Sequence, residues 1–260
     1  MNYGLYLSAS GVLTSLYRQD VFANNLANVT TAGFKPQLAT IRQRSAEAVE
    51  DNLGLDVSQK LLDQLGGGSL AGPARYDFAP GALRFTGKPL DLAIPAPDQF
   101  LVVEPASNPG QTALSRVATF TLNSDGQLVT AQGHAVLDDH GNTIDLDPDA
   151  DVTISGAGQV SQNGEAVAQL QVVRANNLAN LRPVGGNLFN TIDQTDLSAA
   201  TEVVDTPDLR VGFVEQSGVD SIATLTGMIE ANRAVTANSK LMQYHNQLMQ
   251  QAVSTLGRVA

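Results

Sequence analysis

His134, Asp138, Asp139 and His140 fall within one short stretch and are side-chain types that bind divalent metals. Their spacing supplies no further ligand, and residues 138–141 read as a solvated turn. Asp145, Asp147, Asp149 and Asp151 alternate like the leading ligands of a calcium loop. Ala150, however, takes the place of that loop's glycine and Gly156 the place of its closing glutamate, which leaves an acidic loop. Thr86, Gly87 and Lys88 suggest a phosphate loop, but Pro89 stands where a Ser or Thr must meet magnesium. The run from Gly67 to Ala71 lacks the second glycine of a nucleophile elbow. His245 lies near an apolar helical stripe, a place for an interfacial or half-buried imidazole. With no triad, spaced carboxylate pair or cofactor fingerprint, the residues point away from an enzyme, a metal site or a bound cofactor.

The organising stretch runs from Asn2 to Phe34 and reads as an amphipathic helix with an abrupt end. Leu5, Ala9, Val12, Leu16, Gln19, Ala23 and Leu26 alternate four and three apart, a coiled-coil-like seam with one polar member. Asn24, Asn25 and Asn28 are poor interior helix residues because their amides compete for the backbone. Thr30, Thr31 and Gly33 then make a stop near Val29. Two readings fit the asparagines: a frayed, solvated end, or amides that bond to the next backbone segment or to neighbouring chains. A second run closes the chain, with Met228, Val235, Met242, Met249 and Leu256 at every seventh residue and Leu225, Leu241, Leu248 and Val253 beside them. Ser217 and Asp220 are its candidate caps. Each helix is apolar on one stripe, so each needs a partner. The economical solution packs the two ends on each other and on the same ends of other copies.

The 260 residues carry a net charge of −11, which argues against coating nucleic acid or anionic lipid. Cysteine and tryptophan are absent, and the few Phe and Tyr argue against large aromatic clusters in the core. No apolar run approaches the ~18 residues of a membrane span. The first residues lack the basic start of a cleavable signal peptide.

Residues 41–50 and 58–65 have helix-forming composition, and the run from Gly66 to Ser69 is the strongest linker signal. From Phe78 to Asp205 short β-prone runs, among them 83–85, 90–94, 100–103, 118–122, 127–131, 151–154 and 168–173, alternate with turn pairs. Eight of the eleven prolines lie between Pro80 and Pro183, which disfavours long helices there. The expectation is an α+β chain: long terminal helices packed as a coiled-coil-like pair, with an inserted antiparallel, hairpin-rich β domain. Its divisions are residues 1–34 with 218–260 as a helical assembly domain, 35–77 as a linker, 78–205 as the β domain and 206–217 as a return linker. The six residues 23–28 recur at 175–180, a repeat without shared flanking periodicity.

Residues 23–35, ANNLANVTTAGFK, resemble the signature of bacterial flagellar basal-body rod and hook proteins, and residues 215–242 resemble that family's second characteristic segment. Residues 80–94 and 120–144 are similar to the β domain of the same group. The family usually has Thr-Arg-Ala-Gly where this chain has Ser115, Arg116 and Val117, and Ser-Asn-Val where it has Ser217, Gly218 and Val219. The resemblance implies a structural subunit exported unfolded through the flagellar type III apparatus, which polymerises in the periplasm-spanning rod with copies of itself and other rod and hook proteins. It implies no catalytic residue, no cofactor and no membrane insertion. With the stripes, it makes Leu5, Val12, Leu16, Asn24, Asn25, Leu26, Asn28, Gly33, Phe34, Leu225, Met228, Val235, Met242 and Met249 the candidate assembly interface. The rival from the residues alone is a β-domain binding module on a helical stalk, with the acidic loop 145–151 as its site.

Overall fold

The computed structural model describes residues 3–45, 66–191 and 197–256. The chain is α+β and forms two compact units, one drawn from residues 1–27, 37–75 and 220–260, the other from 28–36 and 76–219.

In the first unit, the first helix spans Tyr3–Ala27 and the last helix Ser221–Leu256. Three hydroxyls of the first helix bond back to carbonyls four residues earlier, Ser8 to Gly4 at 2.8 Å, Thr14 to Ser10 at 2.9 Å and Ser15 to Gly11 at 2.7 Å. This lets polar residues be buried in a helix interior without an orphan donor. Asp220 caps the last helix, its carboxylate accepting from the backbone N–H of Ile222 at 2.9 Å and of Ala223 at 3.0 Å. Such a cap is worth about 1 kcal/mol. The two helices pack antiparallel: Gly4 lies against the His245 imidazole, Gly11 against the Asn238 amide, and Gly227 against the Phe22 ring. A Cβ at Gly227 would sit 2.7 Å from that ring, so the missing side chain is what allows the approach.

Strands Ile41–Gln43 and Ser69–Ala71 pair antiparallel in the same unit. The glycine-rich stretch expected as a linker is therefore hydrogen-bonded: Arg44 N–H donates to Gly68 and Gly67 N–H to Arg44, at 2.9 and 3.1 Å. Ile41, placed by composition at a helix start, instead opens a strand, because ladder bonds to Ala71 outweigh local propensity. The rest of the helix-prone stretches, residues 46–65, lie outside the described residues.

The second unit is built on a nine-stranded antiparallel sheet among the described residues. Its central strand, Gln99–Glu104, pairs with Ala113–Ser115 on one side and with Val172–Ala175 and Ala135–Val136 on the other. Alternate residues serve two cores: Leu101 and Val103 join Leu128, Val136 and Val160, while Phe100 and Val102 join Phe78, Leu114 and Phe189. The second core corrects the expectation that large aromatic clusters were out of reach. Tyr76, Phe78, Phe100 and Phe189 form one, with Phe78 and Phe189 ring centroids 5.2 Å apart. A few rings suffice because the sheet gathers them from distant positions. The run 168–173 splits between two strands, Glu165–Gln169 and Val172–Ala175. The hairpin at Asn163 and Gly164 has positive φ at both residues, 52° and 86°, as a tight two-residue turn requires.

The repeated hexapeptide takes two conformations. Residues 23–27 are helical, whereas Ala175 ends a strand and Leu178–Asn180 form a 3-10 turn capped by Asn177. Identical local sequence yields to different surroundings.

Candidate assembly site

Apolar side chains on the helices form the first feature. Met228, Val235, Met242 and Met249, the heptad line of the last helix, are half-buried. Beside them further apolar side chains stand in solvent along the helix: Ile222, Leu225, Ile229, Leu241, Tyr244, Leu248 and Val253 are all exposed, Ile222 at 78%. On the first helix Leu13 and Leu16 are exposed, while Leu5, Val12 and Leu26 are half-buried. The line that meets the last helix passes through Gly4, Gly11 and Phe22. It lies one residue, or about 100° around the helix, before Leu5, Val12 and Ala23 of the 4–3 seam. Small residues thus serve the pairing inside the chain and leave larger ones beside it.

The asparagines divide. Asn24 is exposed and Asn28 half-buried, its side-chain oxygen 3.2 Å from the Thr31 hydroxyl. Asn25 is buried and engaged within the chain. Its amide donates to the Gln37 carbonyl and accepts from the Gln37 N–H, both at 2.8 Å, as a strand neighbour would. For Asn25, bonding to the following backbone segment is the reading that holds.

The segments that follow the first helix and precede the last meet in the β unit around one carboxylate. Gly33 N–H donates to the Glu215 carbonyl at 2.9 Å, and Gly218 N–H to the Phe34 carbonyl at 3.0 Å. Gly33 is buried with φ of +66°, and a Cβ there would press on the Arg116 carbonyl at 3.1 Å. Phe34 is half-buried. The Glu215 carboxylate accepts from Lys35 Nζ at 2.7 Å, Arg116 Nη2 at 3.0 Å and Gly81 N–H at 2.8 Å. Lys35 also donates to the Ala79 carbonyl at 2.9 Å. Arg116 donates to the carbonyls of Ala96, Gln99 and Ile94 and lies over the Phe100 ring. Both cations are fully buried, so each charge depends on these partners. Burial, and then the Arg116 guanidinium, lower the pKa of Lys35, while Glu215 pulls it the other way.

Lys35, Arg116 and Glu215 were not singled out from the residues. Each nevertheless lies within or beside a segment that resembles the rod and hook family, so the motif ends were the available signal. The substitution of Val117 after Arg116 leaves the guanidinium in place, and Gly218 still enters the last helix through the Phe34 bond.

The metal-type residues form no enclosed site. Asp138, Asp139 and His140 are neighbours on a turn that is largely exposed, where the Asp138 carboxylate accepts from the N–H of His140 and Asn142. His134 stands apart and accepts from the Ala106 N–H through Nδ1 at 3.3 Å. Burial lowers its pKa. Asp145, Asp147, Asp149 and Asp151 are exposed. Among the described residues no helix is long and apolar enough to cross a membrane.

A β unit with two buried cores of its own, joined in sequence to a helical pair with exposed apolar side chains, has the make-up of a structural protein. Residues 5–35 match the family model described as flagella basal body rod protein, residues 97–162 that of the flagellar hook protein FlgE/F/G D1 domain, and residues 210–255 that of the flagellar basal body rod FlgEFG protein C-terminal region. The chain is 32% identical over 260 residues to the flagellar basal-body rod protein FlgF of Caulobacter vibrioides, with all of both chains covered. It is 31% identical to FlgG of Bacillus subtilis, covering 96% of this chain and 97% of that one. It is 30% identical to the flagellar hook-basal body complex protein FlhO of Bacillus subtilis, covering 98% and 99%. The chain belongs to the flagellar basal-body rod protein family, and that membership makes it a structural protein rather than an enzyme.

Proposed function

We propose that this chain is a subunit of the flagellar basal-body rod that polymerises through its terminal helices, with copies of itself and with other rod and hook proteins. The supporting observation is the apolar stripe left in solvent on a long helix, with Ile222, Tyr244, Leu248 and Val253 exposed. Large apolar side chains exposed in two groups along one helix, Ile222, Leu225 and Ile229 and then Leu241, Tyr244 and Leu248, support an interaction face. In this reading the two ends act as a coiled-coil-like hairpin, residues 1–34 with 218–260, from which the β region 78–205 is looped out. Residues 35–77 and 206–217 connect them. Covering the stripes releases about 25 cal/mol per Å² of apolar surface, before the cost of ordering. Export without a cleavable signal, through the flagellar type III apparatus, and residence in the basal body belong to the same reading.

The test is substitution on the stripes. Leu16→Asp or Met242→Asp is expected to block polymerisation while the β unit keeps its cooperative melt. A filament that still forms at the wild-type rate defeats the assignment. Hydrogen exchange on dilute monomer is the second check: strong protection throughout residues 5–26 counts against helices that depend on assembly.

A further inference from the structure

Phe85 is 69% exposed, whereas the seven other phenylalanines of the chain are buried or half-buried. It stands with Leu83 on one face of the ribbon formed by strands Leu83–Phe85 and Phe213–Glu215. Its ring lies 5.1 Å from that of Phe213, tilted by 59°. Gly212 and Gly87 make room beneath it, since a Cβ at Gly212 would lie 3.4 Å from the ring. The flanking residues are basic. Segments 82–90 and 208–214 carry Arg84, Lys88 and Arg210 against Asp208 alone, three cations less one carboxylate, or +2, in a chain of −11. All three cations are exposed. Arg84 alternates to the opposite face of the strand from Leu83 and Phe85, which leaves Lys88 and Arg210, the latter 3.6 Å from Asp208, as the cations of this surface. An exposed aromatic centre with basic neighbours suits a protein interface.

A surface of the opposite charge lies on the same chain. Residues 138–151 hold six aspartates and no lysine or arginine, and all but Asp138 are exposed. Among the described residues no ion pair joins Arg84, Lys88 or Arg210 to that segment. We propose that the Phe85–Phe213 ribbon docks the acidic 138–151 segment of a second copy of this chain, head to tail. The contact joins two different patches, so each added copy leaves one of each free, and the contact repeats into a ring where its rotation closes and into an open filament where it does not. It rests on the rod-subunit reading and assigns to the β unit a lateral contact distinct from the helical stripes.

The experiment replaces Phe85 with a photo-crosslinking benzoylphenylalanine in the full chain, irradiates it, and maps the adducts by mass spectrometry. Expected is a dimer-sized adduct to peptides within residues 138–151, its yield falling as salt is raised. Lys88→Glu with Arg210→Glu should lower the yield about tenfold, the scale of a lost anchor contact. Mixing that variant with copies carrying Asp147→Lys and Asp149→Lys should restore it. Should the reversed variant fail to fold, Asp147→Lys with Asp149→Lys in the partner copy alone must lower the yield equally. The absence of a dimer adduct, adducts confined to the helices, or a yield indifferent to both charge reversals overturns the proposal. A filament that assembles without the adduct overturns the ribbon contact and leaves the rod reading standing. The adduct in a chain that never polymerises overturns the rod reading and leaves the contact.

Discussion

The central strand of the β unit and the last helix treat apolar side chains in opposite ways. Along Gln99–Glu104, Phe100, Leu101, Val102 and Val103 are all buried. Along the last helix Ile222, Leu225, Ile229, Leu241, Tyr244, Leu248 and Val253 are exposed, and among the described side chains of residues 221–255 only Ala231 is a buried apolar one. An inner strand has neighbours on two edges and two faces, so both of its side-chain sets find cover. A helix in a pair has cover on one stripe. The β unit thus finds cover for its apolar side chains within one chain, while the helical unit keeps many of its own exposed.

The largest effect that tests this contrast is expected in the β unit. Glu215→Gln leaves Lys35 and Arg116 buried without a counter-charge and should cost about 3–5 kcal/mol in urea denaturation. A loss under ~1 kcal/mol would mean that the carboxylate does not hold the helix-flanking segments together. Next is Asn25→Ala, which strips Gln37 of two partners and should cost about 2 kcal/mol, read from the melt of the full chain.

Lys35→Met should cost less, about 1 kcal/mol, because Glu215 keeps Arg116 and Gly81 as partners. It carries a pH signature. The folded chain holds the Lys35 proton with a pKa below the ordinary 10.5, so it gives that proton up before the unfolded chain does. The contribution of this residue therefore rises with pH from the lowered folded value up to 10.5. Wild type should gain stability relative to Lys35→Met as pH is raised through that window in paired denaturation curves, and the opposite slope would contradict the stated cause. The smallest effect on the monomer is expected at the stripe. Leu248→Ser should change its stability by no more than about 0.5 kcal/mol while reducing filament length seen by electron microscopy. A large loss of monomer stability would show that the stripe is already covered, and the comparison would fail.

Both terminal helices were legible from apolar spacing and stop signals, and most short strands from β-prone runs between turn pairs. The Asp220 cap and the turn at Asn163 and Gly164 followed from residue type, because capping and positive φ are local chemistry. The exact stripe by which the helices meet was displaced by one residue. Periodicity marks the large apolar side chains, whereas Gly4 and Gly11 serve the pairing by being small.

Apolar spacing, turn residues and the motifs at both ends were enough to establish helices, a β region and the family, since each acts over a few neighbouring positions. The meeting of Lys35 and Arg116 at Glu215, 180 and 99 residues away, depended on the path of the folded backbone. So did the aromatic cluster, the pairing of Ile41–Gln43 with Ser69–Ala71, and the exposure of Phe85. No local propensity encodes which distant groups share a buried site, because desolvation and charge pairing take effect only once the sheet has brought them together.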